Sequence, residues 1–414
     1  MSVKSKSKSA ENKEAEVKNF KVNIVGAGFV GLTLAEVLSR LDQVEKVNVI
    51  DVDENKLKCI KEGNIPVNEP GVELKSPKIT FSSKYTNSVS DTFFVCVGTP
   101  DMGNGTQNLD YLKSAIESIL SIYAGKKAKP TIIIKSTTLP SNIAYLANWI
   151  GNRATLYTNP EFLAEGKAVD DLMHQHTLIC GCLGITEDMM KCTVFFRDLF
   201  KGTYAEGAVH CINLYEAMVC KYFLNSYKAM KLDFINEFNT YCDSNNLSFN
   251  SVIHAVGNDP VLGKGFDKPG IGFGGSCFPK DTNAIGTQIQ FIKIIHDLNE
   301  TRIATFAANL SNYINANKVK NILFIGKSFK VGTNDTRESV SVKVANLLAE
   351  DKIEVKFFDT LPELSDFTLD EVMSKLPNIQ LIVIFNQVPE LDKIKSAILD
   401  LGNKVKCQVI DTRK

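Results

Sequence analysis

No charge dominates this sequence: 47 lysines and arginines face 47 aspartates and glutamates over 414 residues. Without an overall basic field, neither nucleic acid nor an anionic membrane is a natural partner, and any anionic ligand must be held by a local site. Paired cysteines are missing as well. The ten cysteines (59, 96, 180, 182, 192, 211, 220, 242, 277 and 407) are scattered, form no CxxC and follow no secretory signal, so no disulfide framework is expected and a reducing, cytoplasmic setting is. The opening "MSVKSKSKSAENKEAEVKN" lacks both the apolar segment of a signal peptide and the large apolar residues needed to fold alone, and reads as a disordered tail over 1–18. The chain length suits two or three domains, and 44% hydrophobic content is ordinary for a globular protein with full cores, so no membrane or fibrous class fits.

What is present begins with "KVNIVGAGFVGLTLAEVLSR". The apolar run Val22–Val25 reads as a strand, and Val30, Leu34, Val37, Leu38 and Leu41 recur at helical spacing. Between them Gly26, Gly28 and Gly31 form GxGxxG, and a second strand, "KVNVIDVD", ends in Asp51 twenty residues after Gly31. Gly26 suits the tight turn, Gly28 lets a pyrophosphate touch backbone, and Gly31 permits close packing of helix on strand. Asp51 can accept from both ribose hydroxyls and would repel a 2′-phosphate, so NAD is expected rather than NADP. Apolar runs in "TFFVCVGTP", "TIIIKSTT", "ATLYTNPEF" and "HTLICG", separated in several places by helical segments, predict a doubly wound sheet. Ligands bind beyond the carboxyl ends of such strands, where Thr99, Ser136, Thr137, Asn159 and Glu161 fall.

Three later stretches carry more. In "HQHTLICGC", His174, His176, Cys180 and Cys182 share parity on one strand; neighbours two apart stand nearly ~7 Å from each other, so four such ligands cannot converge on one ion and no metal is expected there. From Leu214 to Asn245 neither glycine nor proline occurs, which predicts one helix of roughly 30 residues, long enough to join two domains or to pack against its copy in a dimer. Lys221 and Asn225 lie one turn apart on it, with Lys228 nearby. In "GIGFGGSCFPKD" four glycines precede Cys277, and Pro279 suits the first position of a helix. A helix N-terminus with Lys280 beside it would favour the Cys277 thiolate, although the loop alone leaves a small core residue as the other reading. Beyond it, strand and helix alternate again to the end. A turn at Gly326 recurs there without GxGxxG, and Lys330 and Arg337 offer cations for a phosphate instead.

Taken in order, "GAGFVGL", "NEPGVE", "IKSTT", "NPEFLAEGKAVDDL", the helix with Lys221 and Asn225, "GIGFGGSCFPKD" and "GKSFKVGTNDTRES" resemble the nucleotide-sugar 6-dehydrogenases, most of all the members acting on UDP-glucose. The resemblance spans nearly the whole chain after residue 18. It implies an α/β protein of two Rossmann-like doubly wound domains joined by a long central helix. The expected divisions are an NAD-binding domain over 19–210, a central helical and dimerisation region with the cysteine loop over 211–315, and a nucleotide-sugar-binding domain over 316–414. It further implies oxidation of a sugar C6 alcohol to the acid with two NAD, Cys277 adding to the intermediate aldehyde and passing through a thioester. By the same resemblance Lys221 and Asn225 stabilise the oxyanion, Asp281 and Thr137 order a water, and Glu161 is the hydrolytic base, with Glu165 the other candidate. NAD is expected among Gly26, Gly28, Phe29, Val30, Gly31, Asp51, Lys56, Thr99, Thr137, Glu165 and Lys280. The nucleotide sugar is expected among Glu161, Phe162, Leu163, Glu165, Lys221, Asn225, Phe273, Gly274, Cys277, Phe329, Lys330 and Arg337. A homodimer or higher homo-oligomer follows from the long helix.

Two positions depart from the resemblance. UDP-glucose members commonly carry an arginine sixteen residues before the cysteine, reaching the sugar across the dimer; here that position is Val261. The arginine of a late "NR" is replaced by Gln387 after Asn386. GDP-mannose and UDP-N-acetylhexosamines are therefore the neighbouring substrates, and an inactive nucleotide-sugar-binding subunit the non-enzymatic reading. The complete set Cys277, Lys221, Asn225, Asp281 and Glu161 argues against that last one.

Overall fold

The computed structural model describes residues 19–263, 265, 268–401 and 407–413; the tail read over 1–18 lies outside them. Eight strands form the first sheet: β1 (Phe20–Val25), β2 (Val44–Ile50), β3 (Ile79–Ser82), β4 (Thr92–Val95), β5 (Thr131–Ile134), β6 (Thr155–Thr158), β7 (Leu178–Cys182) and β8 (Val209–Asn213). Their spatial order is β3-β2-β1-β4-β5-β6-β7-β8. The strand order reverses between β1 and β4, which leaves their carboxyl ends facing one crevice, the place where such sheets bind ligands. β1 and β4 are apolar on both faces because helices cover both sides: Val22, Ile24 and Phe94 face one core, Val25, Phe93 and Val95 the other. All neighbours run parallel except β6 and β7. β3 and β8 were not legible as strands in the sequence, and β8 straddles the division expected at 210/211.

The first turn shows why its glycines are glycines. Gly26 has φ +104°, and a Cβ on Gly31 would stand 1.9 Å from the Gly26 carbonyl oxygen, so any side chain at 31 must push the helix Phe29–Arg40 off β1. Gly28 is different: a Cβ there meets no protein atom and points into open space.

β8 feeds directly into the helix Leu214–Ser244, whose 31 residues match the length expected. Asn213 and Glu216 form a capping box at its start, satisfying donors that the first turn leaves free. A second long helix, Gln290–Asn317, packs against the first and leads into the second sheet, so two long helices link the sheets rather than one. That second sheet is parallel throughout, with β9 (Ile322–Ile325), β10 (Lys356–Phe358), β11 (Leu381–Ile384) and β12 (Gln408–Asp411) in the order β10-β9-β11-β12. The fold is thus α/β with two Rossmann-like domains and a central long helix, as the sequence pattern implies.

Candidate active site

A cleft of about 650 Å³ runs between the two sheets, with the long helix as one wall. The first domain contributes Gly28, Phe29 and Val30 from the glycine turn, and Thr99 and Thr137 from the ends of β4 and β5. The "NPEFLAEG" segment after β6 brings Glu161, Phe162, Leu163 and Glu165, while the long helix brings Lys221, Asn225 and Lys228. Phe273, Gly274, Cys277 and Lys280 come from the glycine-rich loop and the helix after it. Phe329, Lys330 and Arg337 reach in from beyond β9. Gly26, Gly31, Asp51 and Lys56 do not line this cleft; they shape the turn behind it.

Helical spacing explains the floor. Lys221 and Asn225, one turn apart, point the same way from the long helix and are 2% and 4% exposed. Lys221 Nζ donates to Glu161 Oε1 at 2.7 Å, and Glu161 Oε2 accepts from the Leu163 amide at 2.7 Å. Burial raises the Glu161 carboxyl, but the charge and hydrogen bond of Lys221 overcome that and hold it below the usual carboxylate range. For Lys221 burial acts downward, yet Glu161, Cys277 and Asp281 together hold its ammonium above the ordinary lysine value. Asn225 Nδ2 donates to Asp281 Oδ2 at 2.7 Å, and Lys280 Nζ to Asp281 Oδ1 at 2.6 Å. Asp281 itself is fully buried below the cleft surface.

Cys277 is the residue immediately before the helix Phe278–Gly286, so the expected helix N-terminus is there, with Pro279 at the second helical position rather than the first. Burial opposes the thiolate preference read from that setting. Burial pushes the Cys277 thiol up, Lys221 opposes it, and Glu161 and Asp281 add to the rise, while Lys280 is engaged by Asp281. Lys221, not Lys280, is the main cation acting on the sulfur.

The loop glycines also turn out to serve a different contact. A Cβ on Gly274 would lie 2.2 Å from the Glu338 carbonyl oxygen, and one on Gly275 would lie 2.7 Å from the Phe329 ring. Their close approach is to the second domain's own chain.

Several expected ligand groups already have protein partners. Asp51 Oδ2 accepts from the Ala27 amide and from Lys56 Nζ, both at 2.8 Å, and Oδ1 from the Asp53 amide at 3.0 Å. Burial raises the Asp51 carboxyl, and these donors together pull it below its ordinary value. Lys330 Nζ donates to the Glu165 carbonyl at 2.7 Å, and Arg337 pairs with Asp335 at 2.6 Å. Thr137 offers its carbonyl to Thr99 Oγ1 at 2.7 Å, and Thr99 is thereby tied to the end of β5. Glu165 is pushed up to about 7, by burial first and by Asp335 second, and it accepts from Ser276 Oγ at 3.1 Å beside the cysteine.

Sequence reasoning missed three cations of this cleft, Lys135, Lys268 and Arg413. Lys135, after β5, is 3% exposed and donates to Asn159 Oδ1 at 2.9 Å. Arg413, just past β12, donates to Asn386 Oδ1 at 3.2 Å. The cation absent at Gln387 after β11 thus has a neighbour at the end of the adjacent strand. An acidic residue followed by an arginine at a strand's end, "VIDTR", was the available signal. Neither His174 nor His176 is on β7, which begins at Leu178: His174 follows the helix Ala168–Met173 and lies 2.9 Å from Asp170, and His176 lies in the bend before the strand.

Three sequence profiles of the UDP-glucose/GDP-mannose dehydrogenase family match in succession: the NAD binding domain over residues 20–200, the central domain over 215–304 and the UDP binding domain over 323–414. The chain belongs to the UDP-glucose/GDP-mannose dehydrogenase family, a family of NAD-dependent nucleotide-sugar dehydrogenases. It is similar to a putative UDP-glucose 6-dehydrogenase of Bacillus subtilis (31% identity over 364 residues, 83% of each chain). A second UDP-glucose 6-dehydrogenase of that organism is 30% identical over 376 residues, covering 85% of this chain and 79% of the other. Among solved structures, the UDP-glucose dehydrogenase of Pyrobaculum islandicum matches with TM-score 0.81 at 25% identity, covering 97% of this chain and 96% of that one. The UDP-D-ManNAc dehydrogenase of Pyrococcus horikoshii has the same TM-score at 22% identity, covering 95% and 96%, and shows the fold alone. Among the described residues no helix is long and apolar enough to cross a membrane.

The first turn fits NAD on its own geometry: Gly28 leaves an open face toward the cleft, the Phe29–Arg40 helix begins there, and Asp51 stands at the end of β2.

Proposed function

We propose that this protein oxidises the C6 alcohol of a nucleotide sugar to the carboxylate, with UDP-glucose the favoured substrate, through a covalent thioester on Cys277. The observation carrying this reading is the convergence of Cys277, Lys221, Asn225 and Glu161 at one cleft between an NAD-binding and a UDP-binding domain. The glycine turn, with Asp51, Thr99 and Lys280 around it, would hold NAD, which would supply the hydride acceptor for each of the two oxidations. A two-electron dehydrogenase would have no use for a thiol in that position.

The chain's own groups divide the remaining work. Cys277 Sγ adds to the C6 aldehyde. Lys221 and Asn225 donate to the oxygen that becomes negative, and because both are already fixed, no reorganisation is required when charge develops. Asp281 positions Asn225 through their 2.7 Å hydrogen bond and, with Thr137, orders the water that exchanges protons. Glu161 takes the proton of the water that cleaves the thioester, with Glu165 the alternative base. Lys330 and Arg337 hold the nucleotide phosphates after releasing Glu165 and Asp335.

Val261 supports a second substrate reading. It is 87% exposed and brings no charge where UDP-glucose members commonly place a cation, so GDP-mannose and a UDP-N-acetylhexosamine are the runners-up. A homodimer through the long helix is part of the proposal, since Phe223, Phe234 and Tyr241 on it are 71%, 56% and 61% exposed. The test is direct: purified protein with NAD and a panel of UDP- and GDP-sugars, NADH followed by absorbance and products identified by mass. Two NADH per uronic acid from UDP-glucose is the expected result. Turnover of another sugar alone would reassign the substrate, and none with any sugar would remove the enzymatic reading.

A further inference from the structure

Outside the cleft, three cysteines that the dehydrogenase chemistry does not use meet inside the first domain. Cys180 on β7 and Cys211 on β8 are direct register partners on neighbouring parallel strands. Cys192 comes from the helix Thr186–Leu199 that covers those strands. The three sulfurs lie within 4.8 Å of one another. Cys180 and Cys192 are fully buried, whereas Cys211 is half-buried and gives the cluster one approach from solvent.

Buried cysteines are commonly small hydrophobes, and one alone would carry no meaning. Three from separate segments are a different arrangement. In a tetrahedral zinc site thiolates stand about 2.3 Å from the metal and therefore about 3.8 Å from one another, so the observed sulfurs need to close by no more than about 1 Å, a small side-chain rotation. All three elements are held by backbone ladders or core packing, so the ligand directions are preset by the fold. The donor set is entirely sulfur, which selects a soft or borderline cation and excludes magnesium and calcium. Three thiolates around a divalent ion leave one net negative charge. The Cys182 thiol and the Thr193 hydroxyl both approach Cys211 and can donate to its sulfur, moderating that charge. Cys182, two residues beyond Cys180 on the same buried face of β7, stands too far along the strand to join Cys180 on one ion, so the fourth position is left to a water. The histidines of "HQHTLICGC" are not involved, so the site is not the one that the strand pattern there suggested and excluded.

We propose that Cys180, Cys192 and Cys211 form a thiolate site for a single zinc ion, fastening β7, β8 and their covering helix together at the root of the long helix. Its place in the fold assigns it a structural role: β8 ends at Asn213, the capping residue of the helix that carries Lys221 and Asn225. None of the three cysteines lines the cleft.

The test uses the full chain, purified under reducing conditions with chelator and then freed of it, with cobalt(II) as the spectroscopic probe. One equivalent should produce a sulfur-to-cobalt charge-transfer band that zinc displaces, and zinc should raise the melting temperature of the chelated protein. Cys192→Ala and Cys211→Ala should each weaken cobalt binding at least about tenfold, while Cys277→Ala and Cys407→Ala leave the band intact. Circular dichroism checks that each variant is folded. Should the triad variants fail to fold, the zinc-dependent melting shift of the unaltered chain, reversed by chelator, is the deciding measurement. The absence of both the band and the shift in the unaltered chain overturns the proposal, as does a band that survives in folded Cys192→Ala and Cys211→Ala. So does a hydroperoxide-induced disulfide among the three cysteines in a protein that takes up no ion.

Discussion

Lys221 Nζ lies 2.7 Å from Glu161 Oε1, with the two side chains 3% and 7% exposed, so the floor of the cleft is a buried ion pair. Neither charge has water to fall back on. Removing one partner leaves the other uncompensated, which costs about 3–5 kcal/mol, whereas removing both does not. Lys221→Met and Glu161→Gln should therefore each lower stability to chemical denaturant, and the double variant should be more stable than the sum of the two losses implies. Additive losses would show that the pair is not coupled.

The same pair fixes a pH window. The Glu161 carboxyl is held down, so the stability it contributes is present above the unfolded carboxyl value and is lost as pH falls through the depressed folded value. Lys221 is held up, so its contribution persists below the unfolded lysine value and is lost only as pH rises through the raised one. Melting temperature should be level with respect to this pair across neutral pH and fall in acid. Glu161→Gln should flatten that acid limb; an unchanged limb would place the titrating carboxylate elsewhere.

Glu165 separates the two candidate bases. Pushed up to about 7 by burial and Asp335, it would give thioester hydrolysis a rising limb around neutral pH. That limb should disappear in Glu165→Gln if Glu165 is the base. If Glu161 is the base, its depressed carboxyl produces no neutral limb, and Glu161→Gln should accumulate a substrate adduct on Cys277 with up to two NADH per site in a burst. Intact-protein mass spectrometry reads that adduct directly.

Cys277→Ser leaves both the glycine turn and the loop backbone in place, so binding of NAD and nucleotide sugar should be almost unchanged while turnover falls by at least about a hundredfold. Calorimetry and NADH formation check the two halves. Full steady-state activity would remove the covalent mechanism.

Asp51 predicts cofactor choice. Its Oδ2 already accepts from Ala27 and Lys56 while Oδ1 accepts only from Asp53, so one ribose hydroxyl can use the remaining Oδ1 site, a second must share or displace the Lys56 contact, and a 2′-phosphate would face the carboxylate itself. NAD should exceed NADP in kcat/KM by at least about a hundredfold, as expected for a like-charge contact of a few kcal/mol. Asp51→Ala should weaken NAD without altering the reactivity of Cys277 toward an alkylating probe.

Much of this was legible before any coordinates. The glycine turn, the 31-residue helix, the four strands of the second domain and the Lys221–Asn225 face all follow from local periodicity, which a sequence displays openly. β3 and β8 were not visible because both are short edge strands, half exposed, with mixed polarity. The thiol's environment was not visible either: whether Lys280 or Lys221 governs Cys277 depends on Asp281 engaging the former, a contact between side chains rather than a spacing. Arg413 and the cysteine triad are long-range meetings that only the folded chain brings about.

Gly274 has one further consequence. Its backbone touches the Glu338 carbonyl so closely that no side chain fits between, and Gly275 sits against Phe329 in the same way. The segment bearing Cys277 is thus fastened to the second domain on one side, while Ser276 to Glu165, Asp281 to Asn225 and Asn283 to Asp101 fasten it to the first domain and the long helix on the other. The position of the sulfur is therefore set from both walls of the cleft at once, and neither domain alone fixes it.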